Sequence, residues 1–323
     1  MRQTPGPGTG RLALLGASLN IQLLPYHAAM TTIANPAPSS LEKLRARPVR
    51  IGAVSYLNTL PMIEGLGKLK DVSLTLTAPA QLIDLLLADE IDVGLISLID
   101  AQRSPEPLAM IPAGIIGSGG ATMTVRLFST KPIDSLNCVH VDADSHTSVA
   151  LMRIILNEQF GITPALVEFD IESHRIATSA GFTNPEANWP EALLAIGDKV
   201  VTKSPPAIHY PYQLDLGEAW NKLTGLPFVY AIWMCKAQRA ESHLIGAAVE
   251  VLDRQRRRNA LRMGWIAHAR AQQRGWPVER AREYLDTLLR FELDERHAAS
   301  IERFFDMCFE RDIIEARRAT LWV

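Results

Sequence analysis

Two loops in this chain gather small polar groups where an apolar run stops. Ser55-Tyr56-Leu57-Asn58-Thr59 follows the run starting at Arg50 and leads into Leu60-Pro61. Proline suits the first turn of a helix, so the loop sets two hydroxyls, a phenol and an amide beside backbone N–H groups at a helix start. Such an end attracts a carboxylate, although Asn58 and Thr59 are equally ordinary capping residues. Ser97 closes Val93-Gly94-Leu95-Ile96-Ser97 and would share a rim with Asn58 in a parallel sheet. Asp144-Ser145-His146-Thr147-Ser148 precedes an apolar helical pattern, placing Thr147 and Ser148 at a second positive helix end. Two such ends facing one cleft would suit a dianion.

Other candidates carry two readings each. His146 is the one histidine near these loops and is either a general acid or base or a solvated capping residue. Asp198, in Ile196-Gly197-Asp198, either orients a ligand hydroxyl or caps the next turn. Gly117-Ser118-Gly119-Gly120 could turn backbone donors toward an anion through Ser118 and Gly119. It lacks the following Lys-Ser/Thr of a nucleotide-binding loop and reads equally as a plain turn. The eight histidines form no HxxxH or HExxH pair, so no metal site is expected. Cys138, Cys235 and Cys308 are too few and too widely spaced for a disulfide framework or a CxxC motif, and are expected to be reduced and buried.

The elements that must position these groups follow from periodicity. Strands are expected at 50–55, 72–77 and 92–99 with a helix at 79–88, a βαβαβ order that implies parallel pairing. Strands at 108–116 and 123–129 flank the glycine-rich turn. Beyond Pro132 the pattern restarts with strands at 138–142, 165–169 and 192–196 and a helix at 147–160. Phe228–Met234 is a late strand, and helices at 240–272, 277–290 and 294–309 follow, the last bounded by Asp294. Crossing strands near 125–130 and 226–232 would make an α/β, two-lobed fold like that of type 2 periplasmic binding proteins, its C-terminal helical segment packed on the first lobe. The expected boundaries are 48–127 with 230–323 for lobe 1 and 128–229 for lobe 2, with the ligand in the cleft.

A net charge of −2 from 33 basic and 35 acidic residues offers no field for nucleic acid or an anionic membrane, so the expected partner is a small molecule. The run Arg254–Arg258 reads as a solvated helix face. Residues 1–47 are expected to be a disordered leader, Met30 offering an alternative start; the polar-interrupted run Leu12–Leu24 would make a poor signal peptide. No later segment has the ~18 apolar residues of a membrane span, and a cytoplasmic location is expected.

Several segments, in order, resemble the chorismate dehydratase family of the futalosine route to menaquinone. They are Arg50-Ile51-Gly52 into Ser55–Pro61; Glu90–Ser97; Thr147-Ser148-Val149-Ala150-Leu151; Ile196-Gly197-Asp198; and Asp215–Glu218 through Thr224–Phe228. The resemblance covers about 49–235. It implies dehydration of chorismate to 3-[(1-carboxyvinyl)oxy]benzoate without a metal or organic cofactor. It also implies that Asn58 and Ser97 take part in catalysis, with Ser55, Tyr56, Thr59, Ser118, Gly119, Thr147, Ser148 and Asp198 binding substrate. The sister 1,4-dihydroxy-6-naphthoate synthase would carry a Cys-Pro-Asn-Asp-type loop in place of Ser-Tyr-Leu-Asn-Thr. A non-catalytic solute-binding protein of the same fold is the remaining alternative.

Overall fold

The computed structural model describes residues 47–142, 144–173 and 189–323; the expected leader, Arg47 apart, lies outside them. Residues 46–323 form one compact unit containing two sheets. The first chain segment supplies β1 (Val49–Val54), β2 (Val72–Thr77), β3 (Val93–Ser97) and β4 (Leu108–Ser118). The second sheet takes β5 (Val125–Ser129), β6 (Cys138–Val141), β7 (Ala165–Glu168), β8 (Ala192–Ile196) and β9 (Tyr212–Asp215). The chain then returns to the first sheet with β10 (Phe228–Lys236), β11 (Leu289–Arg290) and β12 (Leu321–Trp322).

The spatial orders are β11-β4-β10-β3-β1-β2, with β12 beside β4, and β7-β6-β8-β5-β9. β1 lies parallel to β2 and β3 as the alternation of strand and helix requires, but β10 runs antiparallel to both β3 and β4, so the first sheet is mixed. The strand at 125–129 does not cross between sheets, since all of it pairs with β8 and β9. The outward crossing is the segment 119–124, a few residues ahead of the expected boundary. Phe228 and Val229 already pair with β4 in the first sheet.

The loop-to-helix junctions have local causes. Pro79 occupies the first turn of the helix Pro79–Leu87, which buries Leu82, Ile83 and Leu86. Ser145 caps the 15-residue helix His146–Phe160 by accepting from the Ser148 amide, and Gly161 in the left-handed region ends it. Asp215 caps Leu216–Thr224 by accepting from the Gly217 and Glu218 amides. The same carboxylate accepts from the Thr122 and Met123 amides, tying the crossing segment to the second lobe.

The expected helix 240–272 is divided: His243–Ala260 and Met263–Ala271 are separated at Arg262, whose φ of −123° and ψ of 15° leave the helical region. Within the first of these, Arg256 and Arg257 pair with Asp253; Arg254, Arg257 and Arg258 are exposed as the basic run suggested, whereas Gln255 is buried and Arg256 is turned mostly inward. The 277–290 segment also changes character, from Val278–Arg282 through the π-helical turn Glu283–Leu288 to β11. Asp294 caps Glu295–Glu310 through the His297 amide as its position suggested. That helix packs on β10 and on His146–Phe160, where Phe304 meets Trp220 and Phe228 edge-on with centroids 6.1 and 5.1 Å away. Cys235 and Cys308 are buried and free; Cys138 is only partly buried. No described helix is long and apolar enough to cross a membrane.

A neutral cleft between the two sheets as candidate active site

A small open cavity lies where the two sheets face each other, the kind of cleft in which small-molecule sites are commonly placed. Asn58 and Tyr56 reach it from the first loop, Ser97 from the end of β3, and Ser145 and Ser148 from the start of the helix His146–Phe160. Thr122 and Thr124 come from the crossing segment, Tyr230 from β10 and Tyr284 from the π-helical turn. Val54, Leu95, Ile116 and Ile196 are among its apolar walls. Among the described residues that line it there is no carboxylate, ammonium, guanidinium or imidazole. A charged ligand would therefore be held by hydroxyls, amides and the positive end of one long helix.

The remaining sequence candidates lie around the cleft. Thr59 is fully buried and donates its hydroxyl to Asn58 Oδ1 at 3.1 Å, fixing which way that amide faces. Ser55 is exposed, and its carbonyl accepts from Arg274 Nε. Ser118 is buried and bonds the Gly120 carbonyl, with Tyr230 Oη 3.4 Å away; Gly119 abuts the Arg290 guanidinium. Thr147 accepts from the Ile99 amide at 3.1 Å. His146 Nδ1 lies 2.8 Å from Asp100 Oδ1, and that hydrogen bond raises its pKa. The imidazole is turned to that partner rather than to the cleft lining.

Asp198 changes the meaning of the first loop. Both its carboxylate oxygens accept from the Leu57 amide at 3.1 Å, so the N–H expected to meet a substrate carboxylate is held by the protein's own. The helix beyond is one turn long, Leu60–Ile63, and supplies little dipole. Burial pushes Asp198 up to about 6, against the pull of the Leu57 amide and the Arg274 charge.

Leu57–Asp198, Ile99–Thr147 and Asp100–His146 each join one lobe to the other. A fourth link is Tyr56, whose phenol donates to Asp144 at 3.0 Å. Its ring lies against Gly197, where φ is +63° and an added Cβ would sit 2.7 Å from a ring carbon. Behind it Lys199 pairs with Asp142 and Asp144, both at 2.6 Å. Burial raises the Asp142 pKa; burial also works to lower Lys199, but the two carboxylates outweigh it and raise the ammonium.

Thr122, Thr124, Ser145, Tyr230 and Tyr284 were not among the sequence candidates. Ser145 had a signal, as the residue before a helix start. Tyr230 is the unpaired residue of a β-bulge, between the pairs Val229↔Gly117 and Ala231↔Ile116; bulges re-aim side chains in this way. Burial raises the pKa of Tyr56, Tyr230 and Tyr284, so each keeps its proton and can donate. Among the described residues no group of three or more His, Cys, Asp and Glu is placed to hold a metal ion.

Comparisons with known proteins agree with this architecture. The chain is 26% identical over 272 residues to a chorismate dehydratase of Thermus thermophilus, covering 80% of this chain and 94% of that protein. Protein AF1704 of Archaeoglobus fulgidus superposes with a TM-score of 0.62 at 15% identity, over 84% of this chain and all (100%) of that one. The periplasmic aliphatic sulphonate binding protein SsuA of Escherichia coli gives 0.57 at 17% identity, over 84% and 94%. At these identities the two structures establish the periplasmic-binding-protein-like fold and nothing about ligand. The model of a family described as menaquinone biosynthesis matches residues 49–310, most of the chain and both sheets, and the protein belongs to that family.

Proposed function

We propose that this protein is a chorismate dehydratase, a hydro-lyase that converts chorismate to 3-[(1-carboxyvinyl)oxy]benzoate and water. The observation that carries the reading is the meeting of Asn58 and Ser97, from two loops far apart in sequence, on one uncharged cleft with apolar walls. The matched family and the Thermus relative support it.

The reaction needs orientation more than it needs a strong acid or base from the chain. The ring C–H beside the enol ether breaks, its electron pair forms the new ring double bond, and the neighbouring C–O bond breaks as hydroxyl leaves. The proton and hydroxyl together make the water, and the ring becomes aromatic without oxidant or reductant. Since no lining residue among those described is a carboxylate or imidazole, the substrate's own side-chain carboxylate is the proposed proton acceptor. Asn58 and Ser97 would hold it over the C–H. Fixing two carboxylates with neutral donors in a largely apolar cavity lowers the barrier by prepaid orientation and by dipoles already aimed at developing charge. Ser145 and Ser148, at the helix end, Thr122 from the crossing segment and Tyr230 from β10 are the proposed carboxylate contacts. A cytoplasmic location accompanies this reading.

The test is to incubate the purified protein with chorismate and follow loss of water and gain of an aromatic product by mass spectrometry and ultraviolet absorbance. Turnover to the benzoate is expected. Tight binding of chorismate without turnover would overturn the reading in favour of a binding protein.

A further inference from the structure

Resting on the dehydratase reading, we infer that Thr124 is a catalytic residue that donates a hydrogen bond to the departing hydroxyl of chorismate, with Tyr284 behind it as a positioning residue. Both side chains line the cavity and both are buried, and Tyr284 Oη lies 2.6 Å from Thr124 Oγ1. Two hydroxyls joined by one bond use one of their two hydrogens. A phenol is a stronger acid than an alcohol and the better donor, so Tyr284 gives its hydrogen to Thr124. The Thr124 hydrogen is then the one left for the cavity, and the bond behind it polarises it further. The other neutral groups of the lining have their tasks. Tyr56 gives its hydrogen to Asp144, while Asn58, Ser97, Ser145, Ser148, Thr122 and Tyr230 serve the two carboxylates. The leaving oxygen is the substrate atom still in need of a donor, in a cavity whose described lining holds no carboxyl, ammonium or imidazole.

The backbone on both sides is bent to bring these two groups together. Met123, just before Thr124, has a φ of +65°, a left-handed conformation uncommon for any residue but glycine. Asp215 holds it there by accepting from the Met123 amide at 2.8 Å, and the Thr124 carbonyl accepts from the Gly197 amide at 2.8 Å. Strain over-determined in this way clusters at functional sites. Tyr284 comes from the π-helical turn Glu283–Leu288, a widened turn of the kind frequent at such sites. Its ring stacks on Trp276 at 5.1 Å and 14°. In the reaction Thr124 keeps its proton. The C–O bond breaks with its electron pair on oxygen, the Thr124 hydroxyl stabilises that charge as it grows, and the proton taken from the ring C–H completes the water.

The test is steady-state turnover of chorismate by the full chain, with isotope effects measured on chorismate carrying 18O in its ring hydroxyl. Thr124→Val keeps the shape and removes the donor; kcat is expected to fall about a hundredfold with KM within about threefold. The 18O effect should rise, because C–O cleavage becomes the slower step. Thr124→Ser restores the hydroxyl and should recover kcat to within about threefold, whereas Tyr284→Phe should lose about tenfold, with a smaller rise in the 18O effect. Because Tyr284 acts through Thr124, the double variant should match Thr124→Val alone to within about threefold. Wild-type kcat in Thr124→Val, an 18O effect unchanged in both single variants, or losses that multiply in the double variant overturn the assignment. Absence of turnover by the wild type would instead overturn the dehydratase reading, and this inference with it.

Discussion

Replacing Asp198 with Asn should remove a pH dependence of stability that this one carboxyl builds in. Burial raises its pKa from the ordinary 3.8 to about 6. The folded state therefore binds the proton more tightly than the unfolded chain, and the associated stability is fully present below the unfolded pKa. It is lost as pH rises toward and through the folded value, the reverse of a paired carboxylate. A pKa displaced this far corresponds to roughly 3 kcal/mol, of which about 2 kcal/mol is expressed between about pH 4.5 and 7.5. Asp198→Asn keeps an acceptor for the Leu57 amide and cannot ionise, so the variant gains on the wild type as pH rises. With roughly 2–4 °C per kcal/mol for a protein of this size, the melting-temperature difference should change by about 4–8 °C across that interval. Differential scanning fluorimetry of the two proteins side by side, in matched buffers, cancels the titration of every other group. A difference that stays constant across that interval would show that the Asp198 carboxyl is not held above its ordinary pKa by burial. KM for chorismate should change less than about threefold, one weak hydrogen bond's worth, because the carboxylate serves Leu57.

Gly197→Ala forces a side chain into the left-handed region and against the Tyr56 ring; a loss of about 2 kcal/mol is expected, with weaker substrate binding, read by thermal unfolding and KM. An unshifted melting temperature would count against the Tyr56–Gly197 contact. Asp92 accepts from Arg47 at 2.5 and 2.7 Å and from the Arg50 side chain and amide. Burial alone would raise its pKa, but these partners outweigh burial and lower it. Asp92→Asn should cost about 3 kcal/mol at neutral pH. The deficit should shrink as pH falls below the ordinary carboxylate value, where the unfolded wild-type chain takes up a proton that the folded, arginine-held carboxylate still refuses; denaturant midpoints at several pH values check both parts. Asn58→Ala with Ser97→Ala should lower kcat by at least about a hundredfold, on the scale of losing preorganised donors. Full activity of that double variant, by the mass-spectrometric assay, would remove both residues from the mechanism.

Much of the frame could be read in the chain. β1, β3 and β8 lie within a residue or two of the apolar runs that announced them, because buried strands leave a continuous apolar signature, while the largely exposed β2 was legible from its alternation instead. β9 left none: Tyr212–Asp215 is an edge strand, exposed along most of its length and held by backbone pairing to β5. The break at Arg262 and the π-helical turn were hidden too, since the local pattern there is an ordinary helical one and packing decides the departure.

Asn58, Ser97, Tyr56 and Ser148 were recognisable as residue types at the ends of elements, and the structure brings these four to one cavity. Local chemistry of this kind, a small polar residue after a strand or before a helix, is written in the sequence. What fills each position was decided only in three dimensions. Leu57 and Asp198 are 141 residues apart, and no local rule says that the positive end of the first loop is already satisfied from the opposite lobe. Tyr230 and Tyr284 enter the cleft through a bulge and a widened helical turn. Both are responses of the backbone to neighbours distant in sequence, and that is why periodicity, a property of near neighbours, could not announce them.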